Sequence, residues 1–319
     1  MQRLTRREFI ASASSCSAHI ALAALASTAA ARVAWALPQN RVVGREPFGS
    51  LERVADGVWA LISTPLSGDR TTLSNGGIIA GRTGVLAIEG FNQPQGAQWL
   101  ATKSRELTGR WPTHVVLTHY HSDHANGVAG YRAGGEKPVV LTTAATRSLI
   151  LERNTPADAS RTDALADVSI ITATSSTEID LGGRTVRIIP RGGHTPSDCS
   201  LQLDEPSIVF CGDLMWNGMF PNYVDAVPSE LSRSVKALRG SRATTYIPGH
   251  GAVATQPDFA RYESMLAEIE SAARLARGRG QTASEAGAAY ALPASLGEWV
   301  LFNKVFFERA FAAWYKELA

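Results

Sequence analysis

The 319-residue chain is 45% hydrophobic and 19% charged, enough apolar material for one large core, and its formal net charge is +2. Four arginines and one glutamate fall in the first 36 residues, so of 31 basic and 29 acidic residues 27 and 28 remain beyond them, a net of −1. A body so nearly neutral has no electrostatic footprint for nucleic acid, which argues against a nuclease or a nucleic-acid partner.

The amino terminus reads MQRLTRREFI and continues as an alanine- and serine-rich apolar stretch to Ala36. Arg6 and Arg7 with Phe9 read as a twin-arginine export signal, and Ala34-Trp35-Ala36 offers a small-residue cleavage site. A signal over 1–36, a mature domain over 37–319 and a periplasmic location are therefore expected. An uncleaved anchor and an ordinary unfolded-export signal are the competing readings. Ser12, Ser14, Ser15, His19, Ser27 and Thr28 make the stretch a weak candidate for a stable membrane span.

Strands are expected over 54–62, 76–80 and 84–88, then a helix over 95–107. The run THVVLT over 113–118 has the β-branched, apolar look of a buried strand. A strand over 139–142 and a helix over 144–153 repeat the rhythm, and 156–176 reads as a polar insertion. Strand 185–189 is followed by a hairpin of 200–203 and 207–210 around Asp204-Glu205-Pro206. Symmetric pairing about that turn places Cys199 opposite Cys211, leaving a cross-strand disulfide and a reduced, packed pair both open. Helix 229–239, with Leu231, Val235 and Leu238 on one face, precedes an apolar strand ending in Pro248-Gly249. These alternations predict an α/β assembly. Beyond 257 only helices are expected, over 258–277 and 296–318, the second rich in aromatics that suit a docking face on the core.

Five of the seven histidines fall where a two-metal site needs them. Residues 118–124 read THYHSDH, supplying His119, His121, Asp123 and His124. Side chains two apart on an extended backbone face the same way, so His119 and His121 can share one ion. A turn into helix near Asp123 would send Asp123 and His124 to the other side of the cavity. Three histidines and an aspartate in six positions would crowd polar groups without a cation, whereas His114 reads as an ordinary half-buried histidine. His194 in RGGHTPSD, Asp213 in VFCGDLM and His250 in YIPGHG each follow an apolar strand and converge on one rim. Imidazole with carboxylate suits zinc, and also iron or manganese, and the lack of cysteine in the run favours an open catalytic site.

The ligand order H-x-H-x-D-H, GHTP, GDL, PGHG resembles the metallo-β-lactamase superfamily, over roughly residues 54–250. The resemblance implies an αββα sandwich with two zinc ions at one edge. His119, His121 and His194 would hold the first ion and Asp123, His124 and His250 the second, with Asp213 bridging them together with a hydroxide. Asp123 and Asp213 are then the candidate catalytic residues, Asp123 orienting the nucleophile. Glu89 stands where many members carry an aspartate, which leaves its supporting role open. A bridging aspartate, where class B lactamases usually place cysteine or serine, points to hydrolases that resemble glyoxalase II, lactonases and phosphodiesterases.

A small ester, thioester or lactone is the expected substrate. A β-lactamase and a non-catalytic protein that retains the fold are the alternatives, and the oligomeric state is undetermined. In LMWNGMFPNYVDA after Asp213, Asn222, Tyr223 and Trp216 are the candidate substrate contacts, with core packing the other reading for Trp216 and Phe220.

Overall fold

A computed structural model describes residues 41–319; the expected export signal and Cys16 lie outside the described residues. The first sheet has eight strands in sequence order: β1 (Arg41–Glu46), β2 (Gly49–Ala55), β3 (Val58–Ser63), β4 (Gly76–Ala80), β5 (Val85–Ile88), β6 (His114–Val116), β7 (Val139–Thr143) and β8 (Ser169–Ile171). Strands β2 to β5 are antiparallel, and β5 to β8 are parallel. Parallel neighbours need a crossover, which α1 (Pro94–Thr108) provides between β5 and β6. The short α2 (Ser122–Ala125) follows β6, and α3 (Ala144–Arg153) and α4 (Ala159–Ala164) lie between β7 and β8.

The second sheet runs β13 (Thr245–Gly251), β12 (Ile208–Asn217), β11 (Cys199–Leu203), β10 (Thr185–Pro190), β9 (Thr177–Asp180). Its one parallel pair, β12 with β13, is bridged by α5 (Pro228–Leu238). The chain ends in α6 (Gln256–Gly278), α7 (Ala283–Ala289) and α8 (Val305–Glu317).

Strand alternation sorts the buried residues into three layers. Val58, Ala60, Ile79 and Leu86 of the first sheet meet Val186, Ile188, Leu201 and Phe210 of the second between the sheets. Trp59, Leu61 and Ile78 face outward against Leu100 of α1 and Ile150 of α3. Val209, Cys211 and Tyr246 face the opposite way, onto Leu231 of α5, Phe259 and Ile269 of α6 and Phe311 and Trp314 of α8. The central strands β3 to β5 and β11 to β13 are thus covered on both faces and read as near-continuous apolar runs, whereas the outer strands β1, β8 and β9 are largely exposed. The result is an αββα sandwich with C-terminal helices.

Four expectations need correction. The single strand over 54–62 is a hairpin, because Gly57 adopts φ +67° and turns the chain between β2 and β3; the Asp56-Gly57 dipeptide is itself a turn signal. The insertion over 156–176 contains α4 and the edge strand β8. Helix α7 falls where no element is expected, and the reciprocal capping box of Thr282 and Glu285 is its local signal. The last helix begins at Val305, and residues before it form a 3-10 turn and an extended segment that bonds to the loop after β12 through Val300.

The cysteines are also one residue out of register. Leu201 pairs with Phe210 and Leu203 with Ile208, so the turn is one residue longer than read. A slip of one moves a side chain to the other face. Cys199 therefore packs between the sheets and Cys211 against the helices, both free and fully buried. Burial pushes both thiols above their ordinary range. Alkylation of the native protein followed by peptide mass mapping is expected to leave Cys199 and Cys211 unmodified and to label both after denaturation; a disulfide-linked peptide would contradict this register.

Candidate metal centre

The loops at one end of the two sheets bring the seven donor residues together in two groups. His119, His121, His194 and Asp213 form one and Asp123, His124 and His250 the other, with ligand atoms in each within 4.8 Å of one another. In the first, His121 Nδ1 lies 3.1 Å from His119 Nε2 and 3.0 Å from His194 Nε2. Asp213 Oδ2 stands 3.2 Å from His194 Nε2 and 3.9 Å from His119 Nε2. Its other oxygen, Oδ1, faces the second group, 3.1 Å from His124 Nε2 and 3.3 Å from His250 Nε2. Asp123 Oδ2 completes that group at 3.6 Å from His124 Nε2 and 3.4 Å from His250 Nε2.

These donors fit metal ions. Around a tetrahedral zinc with bonds of about 2.0–2.1 Å, neighbouring nitrogen donors stand roughly 3.3 Å apart. His124 Nε2, His250 Nε2 and Asp213 Oδ1 are buried and have no hydrogen-bond partner, although they lie close together. Lone pairs aimed at a common point without mutual hydrogen bonds are costly unless a cation takes them.

Local backbone features place each donor. Past β6 the chain bends at His119, and α2 carries Asp123 and His124 with His121 at its N-cap. His194 is set by Asp198, whose Oδ2 accepts from the His194 and Thr195 amides at 2.9 and 2.8 Å. Burial lifts the Asp198 carboxyl to about 6. Asp213 follows a bulge at Gly212, where φ is +52°. An ideal Cβ on Gly249 would stand 1.9 Å from Asp213 Oδ1, so only glycine lets β13 pass that carboxylate.

Electrostatics bind the cluster together. Burial works against the Asp213 anion, but His250, His124 and His194 outweigh it and hold the carboxyl well below its usual range. Burial likewise opposes the His250 cation, yet Asp213 and Asp123 lift that group to about 9. His119, whose burial is reinforced by its neighbour His124, is held well below.

A second tier of residues orients the donors. Glu89, in the left-handed region at φ +74°, places Oε1 3.0 Å from His124 Nδ1 and accepts from the Thr118 hydroxyl at 2.5 Å. Asp225, which sequence reasoning missed, lies 3.1 Å from His121 Nε2 and accepts from the Tyr120 hydroxyl. The His121 and Tyr120 contacts, against its own desolvation, hold its carboxyl at about 2. Outer partners of this kind fix the ring and tautomer of a metal-binding histidine. Nothing local in PNYVDA marks Asp225, since only the folded loop brings it to His121.

The donors open onto a cavity of about 420 Å³ whose wall includes Tyr120, Asn154, Thr155, Asn222 and Val224. Trp216 also lines it while only 4% exposed, its ring tilted 36° against that of His250 with centroids 3.9 Å apart, so it is both wall and packing. Asn222 Oδ1 accepts from Arg309 of α8 at 2.9 Å and from the Val224 amide at 3.2 Å, which leaves its amide nitrogen for the cavity. Tyr223, the other expected substrate contact in this loop, is placed differently. It is 3% exposed, stacks on the fully buried Phe220 and lies outside the wall of this cavity. His114 is half-buried, hydrogen-bonds Thr113 and belongs to neither donor group.

The metallo-β-lactamase superfamily model matches residues 90–250, just over half of the chain. The chain belongs to the metallo-β-lactamase superfamily. It is 22% identical over 146 residues to a hydroxyacylglutathione hydrolase of Parasynechococcus marenigrum, covering 44% of this chain and 50% of the relative. It is 28% identical over 218 residues to an atrochrysone carboxyl ACP thioesterase of Aspergillus fumigatus, covering 67% and 46%. The chain thus spans about half the length of these curated relatives. A metallo-β-lactamase from Pontibacter korlensis superposes with a TM-score of 0.56 at 22% identity, over 68% of this chain and 98% of that one. Among the described residues no helix is long and apolar enough to cross a membrane.

Proposed function

We propose that this chain is an exported dinuclear zinc hydrolase that cleaves a carboxylic ester, thioester or lactone at its carbonyl. The observation that carries the reading is Asp213, one buried carboxylate with an oxygen toward each of two donor groups. His119, His121 and His194 would hold one ion and Asp123, His124 and His250 the other. A pair of divalent ions, when bound, lowers the pKa of water and polarises a carbonyl oxygen.

The protein's own groups divide the remaining work. The Asp123 side chain is 23% exposed where that of Asp213 is 2%, so Asp123 is the carboxylate that faces the cavity and can orient the attacking water and hold its proton. Trp216 packs its ring against that of His250 at 3.9 Å and so bounds the cavity on the side of the second donor group. The Asn222 amide, anchored by Arg309, offers hydrogen-bond donors to a substrate oxygen. The matched relatives include proteins named for thioester hydrolysis, which supports the acyl class. Arg6 and Arg7 support export by the twin-arginine route, which moves folded protein and so permits loading of metal beforehand.

The test is elemental analysis of protein recovered from the periplasmic fraction, with turnover measured on ester, thioester, lactone and β-lactam panels. Two zinc ions per chain and activity on an acyl panel, lost on chelation and restored by zinc, are expected. Turnover of nitrocefin alone would replace this reading with a lactamase. A fully loaded protein inert on every panel would reduce it to a binding protein.

A further inference from the structure

Arg161 on α4 is 4% exposed, yet no carboxylate pairs with its guanidinium among the described residues. Its partners are neutral oxygens. Nη1 donates to Asn126 Oδ1 at 2.8 Å, and Nη2 donates to the Asn154 and Pro156 carbonyls at 2.8 and 2.9 Å. Burying a cation on neutral acceptors costs free energy, so its contribution is better sought in the geometry it specifies than in net stability.

That geometry reaches the metal loop at both ends. Asn126 caps α2, two residues after His124. Asn154 donates from Nδ2 to the same Asn126 Oδ1 at 2.8 Å and to the carbonyl of Tyr120, between His119 and His121, at 2.7 Å. Four of the seven donors lie on the segment so tied. Ser74, donating to the Asp123 carbonyl at 2.6 Å, and Gly90, donating to the His124 carbonyl at 2.6 Å, hold it from the first sheet. The Arg161 node is the support on the other side.

We propose that Arg161 is a positioning residue for the metal centre, its forked guanidinium locking Asn126 and Asn154 so that the 119–124 segment presents its four donors in register. The inference rests on the metal-centre reading. It makes the 156–176 insertion part of the metal-binding apparatus. Lysine keeps the charge but cannot make three directed bonds to three acceptors from one plane.

The experiment compares wild type, Arg161→Lys and Arg132→Met. Arg132 secures the same insertion through the Asp163 and Ala164 carbonyls without touching Asn126 or Asn154. Zinc affinity is read by competition with a chromogenic chelator, donor geometry from the visible spectrum of the cobalt-substituted protein, and stability from melting of the metal-free protein. R161K is expected to bind zinc about 10-fold or more weakly with an altered cobalt spectrum, and R132M to stay within about twofold of wild type. Should R161K fail to fold, Asn154→Ala carries the test, since it removes the tie to Tyr120 and leaves all three Arg161 acceptors in place. Wild-type affinity and spectrum in R161K, or in N154A, would overturn the proposal. So would equal losses in R161K and R132M that track their melting temperatures. A wild-type chain that takes up no zinc overturns both this and the metal-centre reading, whereas normal zinc binding unchanged in R161K overturns this one alone.

Discussion

Replacing Asp213 with alanine is expected to lower kcat/KM on the best substrate by at least about 10³-fold, roughly 4 kcal/mol of transition-state stabilisation. On the proposed dinuclear reading, zinc content should fall from two ions per chain to one or fewer. The reason is the division of its two oxygens, Oδ2 toward His194 and Oδ1 toward His124 and His250. Among the described residues no other carboxylate stands between the groups, because Asp123 joins only the second. The variant also leaves five imidazoles without their central anion. Asparagine retains one acceptor oxygen but loses the charge, so D213N should keep more of the fold and still lose the bridge. Metal analysis beside steady-state kinetics checks this, and a D213A protein with two zinc ions and wild-type turnover would remove Asp213 from the mechanism.

Gly249→Ala is expected to be nearly as damaging through a single methyl group. The added carbon would meet Asp213 Oδ1 at 1.9 Å and the Gly212 carbonyl carbon at 2.8 Å, distances no packing tolerates. Either the carboxylate swings away or β13 shifts and carries His250 with it. Both disturb the two donor groups together. Loss of most zinc, a drop in kcat/KM of about 10²-fold or more, and destabilisation of about 1–3 kcal/mol from overpacking should follow. Gly278 at the end of α6 meets nothing within 4 Å, so G278A is the control and should leave zinc content and turnover unchanged. Parallel zinc analysis, kinetics and thermal melting separate the cases; G249A with normal zinc content would show that the strand yields without disturbing the site.

Much of the architecture was readable because it rests on local patterns. Helix α3 follows the reading over 144–153, and α1 lies within a residue of its expected limits at each end. The seven donors stood out because ligand chemistry restricts residue types, and a tight H-x-H-x-D-H run concentrates them. Asp56-Gly57 and the Thr282 capping box are local signals too, each marking a boundary inside a stretch whose composition reads as continuous.

Tyr223 and Asn222 show where local pattern stops. They are neighbours in one polar-aromatic loop, and nothing in NYVD distinguishes them. The tertiary structure does: α8 holds Asn222 at the cavity through Arg309, while Tyr223 turns into the aromatic core beside Phe220. Asp225, two residues on, reaches His121 across 104 positions of sequence.

The sequence by itself determined the layered α/β fold, through apolar runs matched to strands buried on both faces, and the kind of chemistry, through the identity of seven donor side chains. Tertiary structure alone decided the register that parts Cys199 from Cys211, the contacts of Asp225 and Glu89 behind the ligands, and the hold of Arg161 on the metal loop. The physical reason is range. Periodicity and ligand type act over a few residues, whereas a one-residue slip, a ring tautomer or a buried guanidinium's partners depend on groups that only packing brings within 3 Å.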